Sequence, residues 1–180
     1  VLSMTLKRSE IWLGVFTMFG IVAGIVALFL FLEGQWFFTG SVLIAFSALI
    51  DRYDGRIARR IGAESDFGKH LDASNDLISF ILAPMVLLYQ MNLMQNRLFN
   101  IAVIIIFIGA AVFRLARYAI RENRDTFQGL PSTVAGVILI GFLNLFYFVI
   151  PEGAYSDLVI GALIIILASL MVATFRLRKV

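Results

Sequence analysis

Apolar residues run along this chain in six long stretches, roughly Ile11–Leu32, Trp36–Ile50, Leu77–Met91, Leu98–Phe113, Pro131–Ile150 and Tyr155–Phe175, with short polar segments between them. A helix needs about 20 residues to cross the hydrocarbon core of a bilayer. The first, fifth and sixth stretches are long enough unaided. The second, third and fourth are shorter, and each meets charge at one end: Asp51 and Asp54, Asp72 and Asp76, Arg114 and Arg117. To cross, those helices must include their charged ends, which places these side chains at or just inside one membrane face. The pattern predicts an all-α integral membrane protein of six transmembrane helices, forming a single domain over residues 1–180. Ser65-Asp66 reads as the N-cap of the third helix, and Pro84 inside that helix predicts a kink.

Composition agrees. With 180 residues, 61% hydrophobic and 15% charged, the chain carries more apolar surface than a water-soluble domain could cover. Of fifteen basic residues, all but Arg97 fall in segments on the same side of the predicted spans, a strong positive-inside asymmetry. Both termini and the charged helix ends are therefore expected in the cytoplasm. The basic residues report orientation, and no nucleic-acid partner is expected. The basic start at Lys7 and Arg8 leads into a full span, so no cleavable signal peptide is expected. The absence of cysteine excludes disulfides, zinc-thiolate sites and thiol nucleophiles, and His70 alone cannot build a histidine metal site.

Half of the twelve acidic residues lie between Asp51 and Asp76. Asp51 and Asp54 share a helix face, with Gly55 and Ala58 on it, and small residues there leave room for a ligand to approach the backbone. Asp72 and Asp76, four apart, share a face of the next helix. Two helix ends joined by a cytoplasmic turn can thus gather four carboxylates at shallow membrane depth. They repel one another, and oxygen-only donors favour a hard divalent cation: Mg²⁺, Mn²⁺ or Ca²⁺. A pair of such ions suits displacement at phosphorus. The residues alone leave other readings open. Solvated loop acids are one, and a divalent-cation transporter is another, although transport favours carboxylates near mid-membrane. A structural protein holding lipid headgroups is a third.

The spacing Asp51-x2-Asp54-Gly55-x2-Ala58-Arg59-x8-Gly68-x3-Asp72-x3-Asp76 resembles, at all eight specified positions, the signature of the CDP-alcohol phosphatidyltransferase family. The resemblance implies a six-helix membrane enzyme that displaces CMP from a CDP-linked lipid with an alcohol. It implies two divalent cations, Mg²⁺ or Mn²⁺, with Ca²⁺ as a non-productive ligand. Asp51, Asp54 and Asp72 would hold one, and Asp51, Asp72 and Asp76 the other. Asp54, Gly55, Ala58, Arg59 and Gly68 would line the nucleotide and diphosphate pocket. Asp76 would also be the general base. A homodimer in a prokaryotic cytoplasmic membrane, with its active-site cavity facing the cytoplasm, is implied too.

Farther on, "FRLARYAIRENRDTFQGLPSTVAG" (Phe113 to Gly136) is similar to the bacterial and archaeal phosphatidylserine synthase branch, as is "HLDASNDLISFILAP" (His70 to Pro84). That similarity makes CDP-diacylglycerol and L-serine the expected substrates, with phosphatidylserine and CMP as products. Arg114 and Arg117 are candidate anchors for the serine carboxylate or lipid phosphates, and Gln128 and Ser132 for hydrogen bonds to substrate. Bases at a cytoplasmic helix end also have a purely topogenic explanation. Two positions depart from the branch: Ala119 and Gly20 stand where it carries asparagine. Glycerol 3-phosphate, inositol or inositol phosphate therefore remain alternative acceptors.

Overall fold

The structure, a computed structural model, describes residues 8–61, 66–119, 126–149, 155–174 and 176–178. Among them, six helical rods follow one another. They are α1 (Arg8–Leu32), α2 (Phe37–Ile61), a composite third rod, α5 (Arg97–Ala119), α6 (Ser132–Val149) and α7 (Ser156–Val172). The third rod joins α3 (Asp66–Asn75), a π-helical stretch (Asp76–Leu82) and α4 (Ala83–Met91) without interruption. Two three-residue strands, β1 (Thr126–Gln128) and β2 (Arg176–Arg178), pair antiparallel with Phe127 opposite Leu177. This small pairing is the one departure from an all-helical chain among the described residues.

Each apolar stretch forms a helix, and the helices of the second, third and fourth stretches run on past their apolar residues into the charged ends. α2 continues past Ile50 through Asp51 and Asp54, and α5 carries Arg114 and Arg117 in its last turns. Four segments are long and apolar enough to cross a membrane: Gly14–Leu32, Phe67–Met91, Arg97–Tyr118 and Ser132–Val149. α2 matches them in length, but its second half is charged, and α7 has only 17 apolar-rich residues, ending at Val172. The outer surface is hydrocarbon: Phe19, Phe29, Phe38, Ile105, Leu145 and Phe148 are each more than half exposed. So much outward apolar area is stable against lipid and costly against water. The chain is an integral membrane protein.

Between the rods lies a core of fully buried side chains, among them Phe80, Leu87, Phe107, Leu139, Leu143 and Ile164. Pro84 shapes it. Proline lacks an N–H, and its ring crowds the carbonyl four residues back, here that of Phe80. Just before Pro84 the chain forms the π-helical stretch, in which the Ala83 N–H bonds the Ile78 carbonyl five residues back. α6 presses on this stretch through Gly136, where a Cβ would come within 2.5 Å of the Phe80 carbonyl oxygen. No residue but glycine allows that approach. On the other side, α1 packs against the same stretch at Ser79. The segment that begins with Asp76 is thus clasped between α1 and α6.

Hydrogen bonds between rod ends mark the two ends of the bundle. At one end, the Gln90 amide donates to the Leu32 carbonyl at 2.7 Å. There too the Gln95 and Asn96 N–H groups donate to Asp157 at 2.7 and 2.9 Å. At the other end lie the last turns of α2 and α5, the first turns of α3 and α6, and the β1–β2 pairing.

Candidate active site

At that second end, side chains from five rods converge. Asp51 of α2 and Asp72 of α3 come within hydrogen-bonding reach of each other, close enough to Asp54 and Asp76 for mutual repulsion. Thr133, in the first turn of α6, places its hydroxyl 3.2 Å from Asp51 Oδ2 and 3.1 Å from Asp76 Oδ1. Its neighbour Ser132 donates to Asp76 Oδ2 at 2.6 Å and accepts from the Arg114 guanidinium at 2.8 Å. From α1, Thr17 donates to Asp54 Oδ2 at 2.9 Å, while the Gly55 N–H lies 2.6 Å from Asp54 Oδ1. Asp54, Ser132 and Arg114 are all more than nine-tenths buried.

One turn deeper lies a second polar layer. Ser47 and Ser79 both donate to Asn75 Oδ1, at 3.1 and 3.0 Å, and the two hydroxyls lie 3.2 Å apart. Among the described residues, the buried Asn75 amide nitrogen has no hydrogen-bond partner, nor has Nε of Arg114. Such groups are costly to bury unpaired, and in natural structures they often mark where something else binds. Gly20, the first-helix position where the sequence resemblance leads one to expect asparagine, faces Asn75: a Cβ there would lie 3.5 Å from either amide atom.

The sequence-derived candidates therefore separate. Asp51, Asp54, Asp72, Asp76, Arg114 and Ser132 are brought together. Gly55 lies at the edge of the cluster with open space around its α-carbon, and Gly68 is half-buried on α3. Arg117 is directed elsewhere: it donates to the carbonyls of Val172 at 2.8 Å, Met171 at 3.3 Å and Ala173 at 3.4 Å, capping the end of α7. Cationic donors suit that helix end because its last carbonyls have no partners of their own. The side chains of Ala58, Arg59, Ala119 and Gln128, and residue Ser65, lie outside the described residues.

A hard cation fits the donor chemistry, since carboxylates from two helices face one another and the guanidinium linked to them is kept one hydroxyl away. Among the described residues, though, no three acidic or imidazole groups form a ready-made coordination shell.

The family model described as CDP-alcohol phosphatidyltransferase matches residues 14–175. The chain belongs to that family. The CDP-diacylglycerol–serine O-phosphatidyltransferase of Methanocaldococcus jannaschii is 34% identical over 163 residues, covering 91% of this chain and 71% of the relative. That of Mycobacterium leprae is 35% identical over 137 residues, or 72% of this chain and 45% of the relative. The archaetidylserine synthase of Methanothermobacter thermautotrophicus is 30% identical over 142 residues, covering 77% and 58%. The chain thus spans about half the length of the second and third of these.

Within this member of the phosphatidyltransferase family, the polar residues that no signature singled out are Thr133, Ser47, Asn75 and Ser79. Helical spacing could have found three of them, since Asn75 lies three residues after Asp72. Ser47 lies one turn before Asp51 on the same face, and Ser79 three residues after Asp76. Thr133 has no such signal, because only tertiary packing brings α6 to the carboxylates.

Proposed function

We propose that this chain transfers a phosphatidyl group from CDP-diacylglycerol to L-serine, releasing CMP. The observation that carries the reading is the gathering of the four signature aspartates around a buried arginine, in a chain of this family whose relatives are named as serine transferases. The serine oxygen attacks the phosphatidyl phosphorus, the P–O bond to CMP breaks, and Asp76 accepts the hydroxyl proton. A group with so high a pKa needs a base at the moment of attack. Both Asp76 oxygens are fixed by hydroxyl donors, which aims the carboxylate while leaving lone pairs free for that proton. Arg114 offers its free Nε and its charge to the serine carboxylate or to a phosphate.

Two divalent cations, Mg²⁺ or Mn²⁺, held by Asp51, Asp54, Asp72 and Asp76, would neutralise diphosphate charge when bound. Beside the cluster, a groove of about 430 Å³ between α1 and α2 is lined by Phe16, Phe19, Phe46, Leu49, Ile50 and Tyr53. Its purely apolar lining suits lipid tails entering sideways. In this reading all six rods cross the membrane, with both termini and the cavity on the cytoplasmic side, as the basic residues favour.

The test is CMP release from CDP-diacylglycerol by the purified protein with Mg²⁺ or Mn²⁺. Serine is compared with glycerol 3-phosphate, inositol and inositol phosphate. Serine should be the preferred acceptor, and Asp76→Asn should abolish turnover while sparing binding of the CDP-lipid. Preference for another alcohol overturns the serine assignment; no CMP release with any alcohol overturns the transfer reading.

A further inference from the structure

Three of the four aspartates are held by hydroxyls: Asp54 by Thr17, Asp76 by Ser132 and Thr133, and Asp51 by Thr133. The choice of donor has a physical consequence. A lysine or arginine placed directly on these carboxylates would cancel their charge and compete with any cation or cationic group bound there. A neutral hydroxyl orients a carboxylate and leaves its charge available. Even Arg114 reaches Asp76 through the Ser132 hydroxyl.

Thr133 occupies a special place in this arrangement. Its one O–H carries one proton, yet two carboxylate oxygens from different rods lie at nearly the same distance from it. Toward the carboxylates, Ser132 bonds Asp76 and Thr17 bonds Asp54. Thr133 is the hydroxyl that spans α2 and the third rod. Its position is fixed from behind. α6 is driven against the π-helical stretch at Gly136, one turn beyond Thr133, and the preceding Leu130 N–H is bonded to the Leu170 carbonyl at 2.9 Å.

We infer that Thr133 is a positioning residue whose single hydroxyl ties Asp51 to Asp76 and holds the two carboxylates in register across the helix boundary. The inference rests on the transfer reading for its kinetic consequence, but its effect on cation binding is independent of the acceptor and of turnover. Without the hydroxyl, the two carboxylates repel and separate, so a cation must reassemble them before it binds. The loss should resemble removal of one hydrogen bond to a charged group, about tenfold to a hundredfold.

The experiment compares Thr133→Val, which keeps the shape and removes the hydroxyl, with Thr133→Ser, which keeps the hydroxyl and removes the methyl. Mn²⁺ binding to the detergent-purified full chain is followed by the electron paramagnetic resonance of free Mn²⁺, alongside kcat and KM in CMP release. Thr133→Val should weaken Mn²⁺ binding and lower kcat by about tenfold or more, with the KM for CDP-lipid within about twofold of the parent. Thr133→Ser should recover both to within about threefold. Melting in detergent checks folding, and if the valine variant does not fold, Thr133→Ala is read in its place. Mn²⁺ binding within about twofold of the parent in the folded hydroxyl-less variant overturns the inference. So does a serine variant as impaired as the valine one. If the parent releases no CMP with any alcohol, the transfer reading fails while the Mn²⁺ comparison still decides the role of Thr133.

Discussion

The two ends of the helix bundle use polar side chains in opposite ways. At the end with the short connections, side chains mostly serve the backbone: Asp157 accepts from the N–H groups of Gln95 and Asn96, and Gln90 donates to the Leu32 carbonyl, while Arg97 donates to the Tyr89 hydroxyl. The backbone contacts satisfy helix ends, which is structural work. At the other end, side chains mostly serve one another. Four carboxylates crowd together, three of them held by hydroxyls, and among the described residues the buried nitrogens of Asn75 and Arg114 have no partner. A fold that sought only stability would not collect like charges there. The difference teaches where stability has been given up for a binding or catalytic capacity.

Replacing Asp72 should give the largest contrast between the ends. Asp72→Ala removes a carboxylate that contacts Asp51 and is repelled by its neighbours. CMP release should fall by about a hundredfold to a thousandfold, the scale of losing an electrostatic group in a reacting site. The melting temperature in detergent should stay level or rise, because like-charge repulsion is relieved. A melting temperature that falls together with turnover would make Asp72 a structural residue and erase the distinction.

Gly129 tests how the acidic end is held in place. Its φ of +71° lies in the left-handed region. A Cβ there would also come 2.6 Å from the Met171 carbonyl oxygen and 2.9 Å from those of Leu170 and Ala173. Gly129→Ala should cost about 1–2 kcal/mol for the backbone conformation alone, with more from the carbonyl contacts. The displaced loop leads straight into Ser132 and Thr133, so turnover should fall by about tenfold if a hydrogen bond there is lost. Melting and CMP release measured side by side check this. An unchanged rate in a destabilised variant would show that the loop does not aim the first turn of α6.

Much of this arrangement was legible in the chain. Helical periodicity puts Asp51 with Asp54 and Asp72 with Asp76, and bilayer thickness forces the charged ends of short apolar stretches into helices. Both inferences need only local geometry. What the sequence did not disclose depends on contacts between distant segments. Arg117 looked equivalent to Arg114, yet one caps α7 and the other joins the carboxylates through Ser132. The choice depends on which face of α5 meets α7, and spacing within α5 cannot decide that. Pro84 signalled a disturbance without its form. The disturbance takes the form of a π-helical stretch, and the approach of Gly136 to Phe80 accompanies it. Thr133 was invisible for the same reason, being 82 residues from Asp51 and 57 from Asp76.

The smallest expected effect lies at the opposite end. Asp157 sits in the first turn of α7, where a carboxylate is favoured by the helix dipole. Its two oxygens also accept the N–H groups just before α5, one each. Asp157→Ala leaves both N–H groups to water, which can reach this end, so the cost is modest: about 1 kcal/mol, the usual scale for a lost cap. Asp157→Asn keeps one carbonyl acceptor and should recover part of that loss. Neither change alters the carboxylate cluster, which gathers at the far end of the bundle. CMP release per folded molecule should therefore match the parent for both variants, while melting in detergent orders them parent, asparagine, alanine. A drop in turnover for Asp157→Ala at temperatures well below its melting point would mean that the two ends are coupled through α5 and α7. The backbone-serving end would then have to be counted as part of the reacting machinery.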